Sequence, residues 1–423
     1  MSEWTVSELN GITSFQKGRK VEVSEYHRDG FAPYLGAGVL AGGEATEFAD
    51  TSSSVQATCY DVLMLWDGER SGLVGKGRPG VVSSTVAKLT PKAGMDTSFL
   101  YYALDAKFSW IQGRRTGTGV PHVPKDLGRI LRIPHPTDQT EQKCIAEILT
   151  TIDEAIEQTE ALIAKTLQIK AGLMHDLFTR GITKDGQLRT PREEAPRLYK
   201  ESPIGWIPIE WDWQNVDKLL ARTACPMRSG PFGSSLLKDE LVDNGVPLLG
   251  IDNIFTECFV ADYRRFVTHQ KFMELNRYAV FPRDVIITIM GTVGRCCVVP
   301  DEIGNALSSK HIWTMTFDQN RILPELVCWQ LNYAPWVKAW ITRQSQGAVM
   351  EAIQSSTLRT LQLPVPPMDE QLMLRERYFG LETRISSEKN NLHKLQRLKA
   401  GLMHDLLTGC VRVQIGQFGV ATI

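Results

Sequence analysis

A chain of 423 residues is too long for one ordinary hydrophobic core, and 43% apolar with 22% charged residues is a normal globular composition, so two or three domains are expected. No apolar run approaches the roughly 20 residues that span a bilayer, and the polar start lacks a signal-peptide core, which points to a cytoplasmic protein with no membrane partner. A formal net charge of −1 excludes binding to DNA through bulk positive charge, because non-specific affinity comes mainly from Lys and Arg neutralising phosphates; any basic surface must be local or borrowed.

Residues 1–135 read as a mixed α/β domain. Its landmarks are Trp4 and Leu9, the run Pro33-Tyr34-Leu35-Gly36, the strand-like Asp61-Val62-Leu63-Met64-Leu65, a Gly-rich turn Gly75-Lys76-Gly77-Arg78, and the pair Ser83-Ser84. Pro134 and Pro136 precede a long helix, expected over residues 136–181, with Asp138 and Glu141 placed as a cap and its partner. Its apolar positions Ile145, Leu149, Ile152, Ile156 and Ile163 follow heptad spacing, the seam of a helix that packs lengthwise on another. Residues 182–209 are polar and rich in turn formers, as in a linker.

Residues 210–366 repeat the landmarks of the first domain: Trp213 and Leu219, Pro247-Leu248-Leu249-Gly250, Asp284-Val285-Ile286-Ile287-Thr288, the turn Gly291-Thr292-Val293-Gly294-Arg295, and Ser308-Ser309. The first copy is shorter by roughly 25 residues. Pro364, Pro366 and Pro367 lead into a second long helix over residues 367–410, with Asp369 and Glu370 in its opening turn and the seam Leu374, Tyr378, Leu381, Ile385 and Leu392. Gly181 and Gly409 act as stops, and residues 411–423 form a tail. Each helix of about 40 residues is on the order of 60 Å long.

The two helices are copies. Lys170 to Leu177 and Lys399 to Leu406 are identical at an offset of 229, and the same offset pairs every seam residue with an apolar partner. The second domain leaves the end of one helix and returns at the start of the other, so the helices are expected to run antiparallel. The expected architecture is α+β: two mixed domains separated by a pair of long antiparallel, coiled-coil-like helices, with a pseudo-two-fold internal repeat. A buried seam requires only apolar residues of suitable size, yet Lys170, His175 and Asp176 recur as Lys399, His404 and Asp405. Equivalent partner-docking surfaces or helix-end structure would explain this, and so would a recent duplication. The eight cysteines are scattered, with Cys296-Cys297 the one close pair; neither a zinc spacing nor a disulfide framework is present, and they read as buried thiols.

Two dissimilar domains joined by near-identical helices that end in Leu398-Lys399-Ala400-Gly401-Leu402-Met403, together with Ser202 to Pro208, Leu363 to Pro367 and Glu370-Gln371, resemble the specificity subunit of type I restriction-modification enzymes over essentially the whole chain. The resemblance implies a DNA-binding, non-catalytic subunit in which each target-recognition domain reads one half of a bipartite, asymmetric double-stranded DNA site. The helices would set the spacer and dock two methyltransferase subunits, with restriction/translocase subunits joining for cleavage. No cofactor is expected on this chain; S-adenosylmethionine, ATP and Mg belong to the partners. Opposed readers would also match the approximate dyad of duplex DNA.

Candidate DNA contacts are the basic residues of recurring turns. They are Lys76, Arg78 and Arg295, then Arg114, Arg115, Arg343 and Gln344 before Gly119 and Gly347, and Lys310 with His311 after the second Ser-Ser pair. Each is equally readable as a solvated turn charge. Trp206, Trp211 and Trp213 read as packing residues rather than base-stacking platforms. Adenine-methylation, phosphate-loop and metal-hydrolase motifs are absent, which disfavours an unrecognised nuclease or methyltransferase. The alternative is a two-domain protein-interaction scaffold that does not read DNA sequence.

Overall fold

The computed structural model describes residues 3–117, 119–345, 353–415 and 421–422. The chain forms two compact units, Met1–Leu162 with Glu388–Ile423, and Ile163–Ser387. The long helices, Gln139–Thr179 and Met368–Thr408, each contribute one part to each unit.

In the first unit an antiparallel sheet orders its strands Thr13–Lys17, Val86–Pro91, Val62–Leu65 and Val74–Lys76. The apolar run Val62–Leu65 is buried at all four positions because the strand is covered on both faces. Val62 and Met64 join the core that contains Phe99, Leu100, Ile145, Leu149 and Leu406, whereas Leu63 and Leu65 pack with Leu35 and Val82 of a second sheet. The helix segments thus share the core of the domain. They run antiparallel here: Ile145 lies in one cluster with Leu406, and Asp153 pairs with Lys399 at 2.7 Å.

The second unit repeats this plan. Its sheet runs Met227–Arg228, Ile312–Met315, Val285–Thr288, Cys296–Val298, again antiparallel. Val285 and Ile287 face the cluster of Met174, Leu177, Leu374 and Tyr378, while Ile286 faces Leu249. The helix segments are again antiparallel, with Lys170 beside Glu382 and Leu177 clustered with Leu374. The parallel pairing of Tyr34-Leu35 with Val81-Val82 recurs as Leu248-Leu249 with Leu307-Ser308. Buried Asp61 accepts from Thr90 as Asp284 accepts from Thr316.

Of the ten seam residues, Ile145, Leu149, Ile152, Ile163, Leu374, Tyr378 and Ile385 are buried; Ile156, Leu381 and Leu392 are half-buried. The helices stop at residues 179 and 408, and Gly181 and Gly409 take positive φ values of 64° and 75°. Two expectations are corrected. Cys59, Cys225, Cys258 and Cys410 are exposed rather than buried, because they lie in turns, at a hairpin edge and beyond a helix end. Residues 182–209 are not a bare tether: Ile182 bridges to Leu188, and Tyr199–Ser202 forms a hairpin with Gly205–Pro208. The buried side chain of Arg189 anchors the stretch. No helix among the described residues is long and apolar enough to cross a membrane.

Candidate nucleic-acid interface

The basic residues singled out in the sequence fall into separate groups. Lys76 ends a sheet strand, exposed, with its ammonium 5.4 Å from the ring centroids of both Tyr101 and Tyr102. Arg78 is exposed and reaches the carbonyl of Gly43 at 3.5 Å. Arg114 stacks on Trp110 at 3.9 Å within its own segment, and Arg115 donates to the carbonyl of Gln112 and to that of Glu69 in a separate turn, so both are engaged inside the unit. In the second unit Arg295 lies over Phe255, and Arg343 donates to the Ala339 carbonyl one turn back on its helix. The Gln344 side chain and Gly347 lie outside the described residues.

Lys310 and His311 are brought together with Arg265 and Lys238 around a cavity of about 200 Å³. Burial, with Lys310 and Arg265 nearby, holds the His311 imidazole below its ordinary value, so it is neutral near pH 7. Sequence reasoning missed a larger cavity in the first unit, about 620 Å³, lined by Phe15 and Trp66 with Lys17, Lys125 and Arg129. Its residues come from separated strands and turns, so no local motif announces it.

The repeated lysines prove to be internally paired. Lys170 bridges Glu257 at 2.9 Å and Glu382 at 2.5 Å, and Lys399 bridges Asp153. The offset of 229 relates Asp153 to Glu382 as it relates the two lysines. Burial alone would lower the Lys170 pKa, but hydrogen bonds to Glu382 and Glu257 outweigh it and the net shift is upward. Glu257 sits at a hairpin turn with a left-handed φ of 60° and also accepts from the hydroxyls of Tyr333 (2.6 Å) and Tyr378. In the first unit Asp153, the counterpart of Glu382, itself accepts from the hydroxyl of Tyr102 at 2.8 Å. His175 and His404 are exposed, each beside a surface cavity of its own unit, with Asp176 and Asp405 half-buried next to them.

The dipeptides that open the helices do parallel work. Gln142 spans the Gly94 and Pro136 carbonyls and the Asp96 N–H; Gln371 spans the Arg321 and Pro366 carbonyls and the Leu323 N–H. The Glu141 side chain reaches beyond its own helix. It accepts from Trp4 and from Arg412, just past the end of the other helix. Glu370 likewise takes Trp211 and Arg189. A Cβ at Gly181 would lie 2.2 Å from Glu370 Oε1, and one at Gly409 would lie 3.0 Å from the Trp4 ring, so glycine is what lets each helix end approach its clasp. Trp211 is thus a packing residue at 1% exposure, whereas Trp213 is half-buried and Trp206 is exposed with Arg192 over its ring.

Comparison with known proteins gives a consistent picture. Residues 1–167 match the family described as the type I restriction modification DNA specificity domain. The chain is 27% identical to the type I restriction enzyme MjaVIII specificity subunit of Methanocaldococcus jannaschii, over 97% of this chain and 94% of that one. It is 21% identical to the EcoBI specificity subunit of Escherichia coli, over 97% and 87% respectively. The fold is similar to the crystal structure of the type I system S subunit from M. genitalium, with a TM-score of 0.58 at 17% identity and 96% of both chains covered. It is also similar to a structure describing complex assembly and conformational transition of the type I R-M system, with a TM-score of 0.56 at 14% identity, covering 96% of this chain and 98% of that one. In its first 167 residues, in sequence over nearly its whole length, and in fold, the chain is similar to the specificity subunits of type I restriction-modification systems.

Proposed function

We propose that each unit reads one half of a bipartite, asymmetric DNA site, that the paired helices set the unread spacer, and that the chain docks two methyltransferase subunits that act on an adenine in each half-site. Restriction/translocase subunits join this assembly for cleavage. The chain contributes specificity and no chemistry; S-adenosylmethionine, ATP and Mg are used by the partners.

The observation that carries this reading is a repeated frame with divergent edges. The Glu-Gln dipeptides, the lysine–acid pairs and the sheet order recur in both units, which keeps the frame equivalent. The candidate contacts recur only in part: Gly77-Arg78 matches Gly294-Arg295 and Arg114-Arg115 corresponds in place to Arg343-Gln344, but Lys76 stands in the first Gly-rich turn alone and Lys310-His311 follows only the second Ser-Ser pair. Equivalent frames presenting different donors suit two half-sites of different sequence.

The test is to co-express the chain with its methyltransferase subunit and map methylated adenines, then replace residues 1–135 with the corresponding domain of a relative. One half-site should change while the other half and the spacer stay. Methylation without a two-part motif, or a pattern indifferent to the exchange, would refute the reading and favour a protein-interaction scaffold.

A further inference from the structure

The cavity of about 200 Å³ in the second unit has the makings of an anion site. Lys238, Arg265, Lys310 and His311 lie around it, and Ser309 forms part of its wall. Arg265 has one acidic partner, Asp252; the neighbouring Glu240 is already taken by the Leu237 N–H and Lys271. The balance at the cavity is therefore positive in a chain whose net charge is −1.

A second observation is independent of charge. Among the described residues six buried side-chain polar atoms lack a hydrogen-bond partner; two of them, Ser309 Oγ and Arg265 Nε, belong to residues lining this cavity, and a third, Ser229 Oγ, lies on the backbone next to it. Ser309 is 7% exposed and Ser229 6%. The Gly230 N–H donates to the Ser309 carbonyl at 3.1 Å, which sets the two serines on adjoining backbone. Buried donors normally find acceptors, so this concentration asks for one from outside the chain, and each of the three atoms can donate.

We propose that this cavity is an oxyanion site of the second reader and takes a phosphodiester of the DNA backbone, with Lys310 and Arg265 supplying charge and Ser309 a hydroxyl. Leu237 and Leu241 on the same wall suit the adjoining deoxyribose, a group that a free phosphate would not bring. The proposal rests on the reading of this unit as a DNA reader. A bound phosphate oxygen would also reverse the present shift of His311, which is depressed by burial, Lys310 and Arg265.

The test uses the full chain labelled at its histidines, with His311 assigned through His311→Gln. Inorganic phosphate and a short mixed-sequence duplex are titrated separately at low salt. Both should raise the His311 midpoint by about one unit. Lys310→Ala, a change at an exposed residue, should abolish the rise and reduce the salt slope of duplex binding by about one. Ser309→Ala should weaken the rise without changing the slope. If the duplex binds but neither probe moves His311, and Lys310→Ala leaves the slope unchanged, the cavity assignment is wrong while the DNA reading stands. A response to inorganic phosphate alone overturns the phosphodiester assignment and leaves a free-anion site. If the wild-type chain binds no duplex even with its methyltransferase partner, the DNA reading falls and takes the phosphodiester with it.

Discussion

Glu141 and Glu370 occupy the same place in the two repeats, yet replacing each with glutamine should have unequal effects. Glu370 accepts from the Ile182 N–H at 2.8 Å, from Arg189 at 2.6 and 2.8 Å, and from the Trp211 indole at 3.0 Å. Every partner is a donor, so the amide introduced by Glu370→Gln would point its own N–H₂ at donors in either orientation. The Arg189 side chain is 7% exposed and would lose its buried counter-ion, a change that costs about 3–5 kcal/mol. Glu210, 3.5 Å from Arg189, softens the loss toward the lower figure. Glu141 accepts from Trp4 at 3.3 Å and from Arg412 at 2.9 and 3.1 Å, but the Arg412 side chain is 26% exposed, and water can replace much of what it loses. Glu141→Gln should then cost about 1–2 kcal/mol. For units of this size the melting temperature falls by roughly 2–4 °C per kcal/mol, so Glu370→Gln should lower the transition of its unit by about 10 °C and Glu141→Gln by about 4 °C. Calorimetry of the full chain, with hydrogen exchange to locate the loosened helix end, measures both. Equal effects, or a larger one at Glu141, would refute the argument from burial of the arginine.

Three other outcomes follow from the same contacts. Gly181→Ala places a methyl 2.2 Å from Glu370 Oε1 at a φ of 64°, so it should destabilise the second unit by about 2 kcal/mol or more in a chemical melt, while Gly409→Ala, 3.0 Å from Trp4, should cost less. The Lys170 pKa is raised above 10.5, and those of Tyr333 and Tyr378 above 10.0, with burial and the contact to Glu257 raising both tyrosines; the stability they contribute is complete below about pH 10 and is lost as pH rises. Melts from pH 8 to 11 should therefore fall steeply, and Glu257→Gln should flatten the profile; parallel curves would refute the linkage. A heptad inserted into one helix between Asp153 and Lys170 shifts the register by about 10 Å and should break a lysine–acid pair, whereas matched insertions in both helices should restore methylation at sites with a longer spacer.

Much of this frame was legible because repetition reveals what a single segment does not. Seam spacing marked the helices, flanking prolines and glycines their ends, and the path of the chain between them their antiparallel course, while the recurring Pro-x-Leu-Gly and Asp-Val runs located matching strands in both sheets. The lysine–acid pairs were also within reach: Lys170 and Lys399 stand one heptad beyond Ile163 and Leu392, and the same offset joins Asp153 to Glu382. A charge on a seam position asks for a partner on the facing helix. Glu257 was not legible, because its hairpin has no recognisable counterpart in the first domain. Neither was Arg189, which lies in a polar, turn-rich stretch and does not stand one repeat length from Arg412, although both do the same work.

These contacts divide the shared segment Lys170 to Leu177 into parts with different causes. Met174 and Leu177 belong to the core cluster of their unit, and Lys170 pairs within the chain, so packing and electrostatics account for them without any partner. Asp176 lies near Arg180 at 3.4 Å, a turn away on the same helix. His175 and His404 differ from all of these, since each is exposed and no core or ion pair asks for histidine there. If equivalent partner subunits dock on the two units, the histidines are where the identity of the repeats would be read. Substituting both should weaken methyltransferase binding while leaving the melting temperature unchanged, whereas substituting Lys170 and Lys399 should lower the melting temperature first. The reverse order would assign the lysines to docking and the histidines to the frame.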